Sequence, residues 1–140
     1  MKREFFETKD GLDPRSVKGG VYHIELIKIG NEQNPISLYI GESAWIANRC
    51  GNHLYAFFEN PQYFGLTPTN FNDNTLILRF SVLDQIDEKK SVLGVGKYKN
   101  EELKYIQRIK PLTQLETSDR QLEEGLKSKR VQDKILEMWG

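Results

Sequence analysis

The segment from Val21 to Gly41 constrains the fold of this chain more than any other. Val21-Tyr22-His23-Ile24-Glu25-Leu26-Ile27-Lys28-Ile29 alternates as a strand does, with Tyr22, Ile24 and Leu26 on one face. The turn-rich stretch Gly30 to Pro35 separates it from Ile36-Ser37-Leu38-Tyr39-Ile40-Gly41, so the pair reads as a hairpin that starts an antiparallel sheet. From Ala44 to about Phe58, Ile46, Cys50, Leu54 and Phe57 recur at helical spacing, with Arg49 and His53 four apart on one flank. A third strand is predicted over residues 74–82. A loop over residues 59–73 carries Tyr63, Phe64 and Phe71, for which packing is favoured over stacking on bases. After a connection at 87–99, Asn100 suits the N-cap of a helix over 101–109, stopped by Pro111, whose inner face holds Glu102, Ile106 and Ile109. The Ser118-x-x-Gln121 capping box predicts a last helix that runs to Trp139. The expected class is α+β: a small central sheet, antiparallel or mixed, of about three strands flanked by helices.

At 140 residues one domain is expected, with residues 1–19 as a lead-in arm and 20–140 as the domain. The N-terminus has charges but no long apolar core, which predicts neither a signal peptide nor a membrane span and so a cytoplasmic location. The single Cys50 rules out an internal disulfide and a thiolate zinc site. Twenty basic residues balance twenty acidic ones, and residues 21–60 carry only Lys28 and Arg49 against Glu25, Glu32, Glu42 and Glu59. No basic patch therefore announces a polyanionic partner.

Common metal-protease, thiol-pair and phosphate-loop motifs are absent, and Gly94-Val95-Gly96-Lys97 is too short for a phosphate loop. One spaced constellation remains. Gly20-Val21-Tyr22 is followed by Tyr39-Ile40-Gly41-x-Ser43, Arg49 comes eight residues after Gly41, His53 four after Arg49, and Glu102 nine before Pro111. Taken singly, each residue is explained by packing, capping or solvation. Together, on the predicted strands and helices, they resemble the GIY-YIG nuclease family over residues 20 to about 114. The resemblance implies a metal-dependent endonuclease that hydrolyses phosphodiester bonds in nucleic acid, DNA sooner than RNA. It implies Tyr22 as general base or proton relay, Arg49 on the phosphate and Glu102 as the ligand of Mg²⁺ or Mn²⁺. Tyr39 and His53 would orient water, phosphate or Tyr22, and Gly41, Ser43 and Gln114 would meet substrate. Glu101, one residue away, would point about 100° off the inner face of the helix.

These residue types suit the chemistry, because phosphodiester hydrolysis needs a base for water and positive charge on the phosphoryl oxygens. A tyrosine base ordinarily has a pKa of about 10, so nearby positive charge from Arg49 and the cation would have to favour its ionised form. Two positions depart from the family pattern. Gln114 stands where Asn is usual, and Glu42, just after Tyr-Ile-Gly, would repel phosphate. The second reading is a catalytically inactive nucleic-acid-binding or regulatory module. No sequence-reading module is appended, so targeting would fall to the aromatic loop, Lys89, Lys90, Lys97 and Lys99, the C-terminal helix, a homodimer or a partner protein.

Overall fold

The hairpin forms half of a mixed four-stranded sheet. The computed structural model describes residues 1–86 and 97–140. In chain order, β1 (Lys2–Phe5) leads into a small two-stranded ribbon, β2 (Glu7–Thr8) and β3 (Gly11–Leu12), and a 3₁₀ turn at Pro14–Val17. β4 (Gly20–Lys28), β5 (Ile36–Ser43) and α1 (Ile46–Glu59) follow. A 3₁₀ turn at Pro61–Phe64 and the short α2 (Pro68–Phe71) lead to β6 (Leu76–Gln85). Among the described residues, α3 (Lys97–Ile109) and α4 (Glu124–Trp139) complete the chain. The sheet order is β1-β6-β4-β5, with β4 antiparallel to both neighbours and β1 parallel to β6. The α+β class is as expected. No helix among the described residues is long and apolar enough to cross a membrane.

Residues 1–19 are more than an arm. Lys2 to Phe5 pair with Ile77 to Phe80, the Met1 ammonium donates to the Phe71 carbonyl at 2.9 Å, and Phe6 is buried beside Phe80. Charge hides this strand in the sequence, because edge strands carry Lys, Arg and Glu against unwanted pairing. The last helix also differs from expectation. Ser118 Oγ accepts from the Arg120 N–H at 3.0 Å in a local turn, and Gln121 bridges to Gln114, so the helix begins only at Glu124. Asn100 lies inside α3, which begins at Lys97. Lys89, Lys90 and the Gly94 to Gly96 stretch fall outside the described residues.

One sheet face carries Tyr22, Ile24 and Leu26 into the main core with Cys50, Phe57, Phe64 and Val131, so the aromatic loop packs down as favoured. The other face places Val21 and Ile40 under Ile106 of α3, with Ile86. Two bulges interrupt the ladders. Leu83 is extra opposite Val21 and Tyr22, and Leu38 is extra opposite Ile24 and Glu25. Bulges re-aim side chains locally and are common beside functional sites.

Candidate functional site

Tyr22 and Tyr39 come from adjacent strands and lie side by side on the core face, with ring centroids 6.2 Å apart. Both are buried, Tyr22 being only 1% exposed. The room for them is made at Gly41, which pairs with Tyr22 across the β4–β5 ladder. A Cβ at Gly41 would fall on the Tyr22 hydroxyl and lie 2.8 Å from Tyr39 Cε1. Gly41 therefore acts through space, by letting a tyrosine hydroxyl lie against backbone.

His53, one turn beyond Arg49 on α1, bridges two tyrosines. Its Nε2 is 2.7 Å from the Tyr22 hydroxyl and its Nδ1 is 2.7 Å from the Tyr63 hydroxyl. Burial, with a smaller push from Arg49, lowers its pKa to about 4, so the imidazole is neutral at pH 7. One ring nitrogen must then donate and the other accept, and the row Tyr22–His53–Tyr63 has a single proton direction at a time. The Arg49 guanidinium is exposed beside the Tyr22 hydroxyl. Arg49 favours ionisation of Tyr22 as the sequence argument requires, but burial outweighs it, helped by Tyr39 and Cys50. The hydroxyl is held far above its ordinary value. Tyr39 is raised by burial first, then by the negative charges of Asp119 and Glu102.

Glu102 faces inward from α3 as its spacing predicts, and is 3% exposed. Its Oε2 is buried and has no hydrogen-bond partner among the described residues. Burial raises its pKa to about 8, Asp119 and Glu42 add to the rise, and Lys99 and the Glu42 backbone amide oppose it. Lys99 bridges the same acids, 3.7 Å from Glu42 and 3.5 Å from Asp119. Glu101 turns outward to Lys104 at 3.1 Å. Among the described residues, no three His, Cys, Asp or Glu groups are gathered to hold a metal. That donor set does not suit zinc. An orphaned buried carboxylate oxygen with a second acid nearby suits Mg²⁺ or Mn²⁺, which use one or two carboxylates and keep several waters.

The remaining expected positions act on the framework. Gln114, 1% exposed, is turned to the backbone of β5: its Oε1 accepts from the Ile40 N–H at 2.7 Å and its Nε2 donates to the Ile40 carbonyl at 3.0 Å. Its side chain clamps the outer edge of β5, which the Leu112 and Thr113 N–H groups also engage. Ser43 Oγ accepts from the Trp45 N–H at 3.0 Å and shapes the turn into α1. Tyr63, Asp119 and Lys99 join the site without having been assigned to its chemistry. Tyr63 was visible as a loop aromatic, but nothing local marked its hydroxyl as a partner of His53. No family model matches the chain, and no curated protein or solved structure matches it.

Proposed function

We propose that the chain is a metal-dependent nuclease of the GIY-YIG type that hydrolyses phosphodiester bonds, with DNA as the preferred substrate. The observation that carries this reading is the convergence of Tyr22, Tyr39, Arg49 and His53 with Glu102, whose Oε2 is buried with no partner among the described residues. Arg49 binds a non-bridging phosphate oxygen, a task its planar donor fork suits. Tyr22 acts as a relay and not as a resident phenolate. It takes the proton of the attacking water as it passes its own to His53 Nε2, while Tyr63 holds the ring at Nδ1. The negative charge of a bound phosphodiester favours the imidazolium that results and offsets what burial and Arg49 impose on His53. Glu102, with Asp119 nearby, would hold Mg²⁺ or Mn²⁺, which supplies positive charge to the phosphoryl oxygens. One such site cuts one strand, so double-strand cleavage requires a second copy or a second encounter.

The alternative, a binding or regulatory module without turnover, is favoured by Glu42, whose negative charge reaches Glu102 and would repel phosphate. Incubation with supercoiled plasmid, branched DNA and RNA separates the two, with Mg²⁺ or chelator and beside Glu102→Ala and Arg49→Ala. Cleavage that needs Mg²⁺ and is lost in both variants is expected. Cutting that survives chelator or both substitutions refutes the mechanism, and binding without cutting selects the alternative.

A further inference from the structure

On the sheet face opposite the tyrosines, β4 and β5 bring a serine, a histidine and a carboxylate into line. His23 and Glu25, two residues apart on β4, share that face. The bulge at Leu38 sets Ser37 opposite Glu25 and closes it up against His23. Ser37 Oγ lies 2.6 Å from His23 Nε2, and Glu25 Oε1 lies 3.8 Å from His23 Nδ1. All three line a cavity of about 450 Å³, whose wall also carries Lys110 and Lys134. That volume is in the range of small-molecule sites.

We propose that Ser37, His23 and Glu25 form a second, metal-independent nucleophilic site that hydrolyses small carboxylic esters bound in this cavity. Ser37 Oγ bonds to the ester carbonyl carbon and its proton passes to His23 Nε2. The carbonyl–alkoxy bond then breaks and His23 returns that proton to the departing alcohol. Water repeats the sequence on the acyl-serine, releasing the carboxylic acid and restoring the Ser37 hydroxyl. The imidazolium formed in each half is stabilised by Glu25, which lies within ion-pair distance. The negative charge on the carbonyl oxygen meets the positive field of Lys110 and Lys134.

Other groups in reach fit these roles. Burial of His23 lowers its pKa to about 4, so the ring is neutral at pH 7 with Nε2 against the Ser37 hydroxyl, and the nearby Glu25 has to offset burial when the ring takes the proton. Glu25 is pushed up by burial while Arg79 opposes, and Arg79 is itself held by Glu4 at 2.8 Å. Among the described residues, Lys110 and Lys134 pair with the exposed Glu116 at 3.6 Å and Glu137 at 3.2 Å, which a ligand can displace. Strand pairing alone would explain Ser37 and His23 as a half-buried cross-strand hydrogen bond. It gives no reason for a carboxylate behind the histidine and a cavity in front of the serine.

The test is reaction of the full chain with a fluorophosphonate probe, mapped by mass spectrometry, beside hydrolysis of p-nitrophenyl acetate, all in chelator. The expected result is modification at Ser37 at least about 100-fold faster in the native than in the urea-unfolded chain, and ester turnover that Ser37→Ala abolishes. His23→Gln should slow both by about 100-fold or more. Absence of native-specific labelling at Ser37, ester turnover equal to that of Ser37→Ala, or a folded His23→Gln that reacts as fast as wild type overturns the proposal. If His23→Gln does not fold, the native-to-unfolded ratio and Ser37→Ala decide. Because chelator is present throughout, the outcome is independent of whether the Glu102 site cuts nucleic acid.

Discussion

Replacing Gly41 by alanine tests how far the tyrosine pair depends on one missing methyl group. The added Cβ would lie 2.5 Å from Tyr22 Cζ, where ordinary contact begins at 3.4 Å, so the ring must retreat by roughly 0.9 Å. Neither ring has free space, because both are buried and Tyr39 Cε1 would itself be 2.8 Å away. A retreat of that size along the line to His53 would take the 2.7 Å contact to about 3.6 Å, beyond a hydrogen bond. Overpacking of this kind costs about 1–3 kcal/mol, and the lost bond adds about 1 kcal/mol. With a urea m-value of about 1–3 kcal/mol/M, the unfolding midpoint should fall by about 1 M or more. Gly51→Ala is the internal control. That glycine is exposed within α1 with no atom within 4 Å of an added Cβ, so alanine there should raise stability by about 0.5–1 kcal/mol. Urea unfolding followed by circular dichroism reads both variants. An unchanged midpoint for Gly41→Ala, with Gly51→Ala stabilising, would refute the close-approach argument while leaving the helix intact.

Glu102→Gln should abolish metal-dependent cleavage yet stabilise the metal-free chain at high pH. With its folded pKa raised to about 8, Glu102 contributes stability that is full below about 4.5 and lost as pH rises through 8. The advantage of the glutamine variant in urea should therefore grow by on the order of 2 kcal/mol between pH 5 and pH 9, and a constant difference would contradict the burial argument. His23 has the opposite sign. Its folded pKa is depressed to about 4, so its contribution is full above about 6.5 and lost as pH falls; wild type should lose roughly 2 kcal/mol relative to His23→Gln between pH 7 and pH 5, and parallel profiles would count against it. Gln114→Ala leaves both backbone groups of Ile40 unpaired and should cost about 2–3 kcal/mol in thermal or urea unfolding. Unchanged stability with a raised KM would instead return Gln114 to the substrate.

Periodicity and spacing were enough for what is local and repeated. The stripe of Ile46, Cys50 and Phe57, the inward side of Glu102 and the shared face of Tyr22, Ile24 and Leu26 all follow from 3.6-residue and two-residue periods, and the structure has each. What was illegible depends on distant partners. β1 reads as a charged arm because its pairing partner lies about 75 residues away. Ser118 and Gln121 satisfy a capping pattern, but the bridge from Gln121 to Gln114 holds that segment extended. Bulges leave no mark on an alternating pattern, so the insertion at Leu38, which brings Ser37 to His23, could not be read. Lys99, read as part of a connection, lies in the first turn of α3, and Asp119, read as the start of the last helix, lies in the extended segment before it, so their meeting beside Glu102 depends on tertiary packing.

The titratable groups of the candidate site share one property that bears on how it would work. Burial keeps Tyr22 protonated, His53 neutral and Glu102 mostly protonated at pH 7, so the exposed guanidinium of Arg49 stands beside buried groups that hold their neutral forms. In the proposed reaction His53 gains a proton and Glu102 loses one while Tyr22 exchanges one proton for another, and these changes are driven by charge brought in with substrate and cation. Arg49 acts on both ends of the relay in opposite senses, favouring the Tyr22 anion while disfavouring the His53 cation. Replacing it by glutamine would therefore make His53 a better acceptor and Tyr22 a poorer donor at once, besides losing the phosphate contact. No shift of pH compensates both. The cleavage rate of Arg49→Gln should stay depressed across pH 6 to 9, and full recovery at either end would show that Arg49 serves the titration of one group alone.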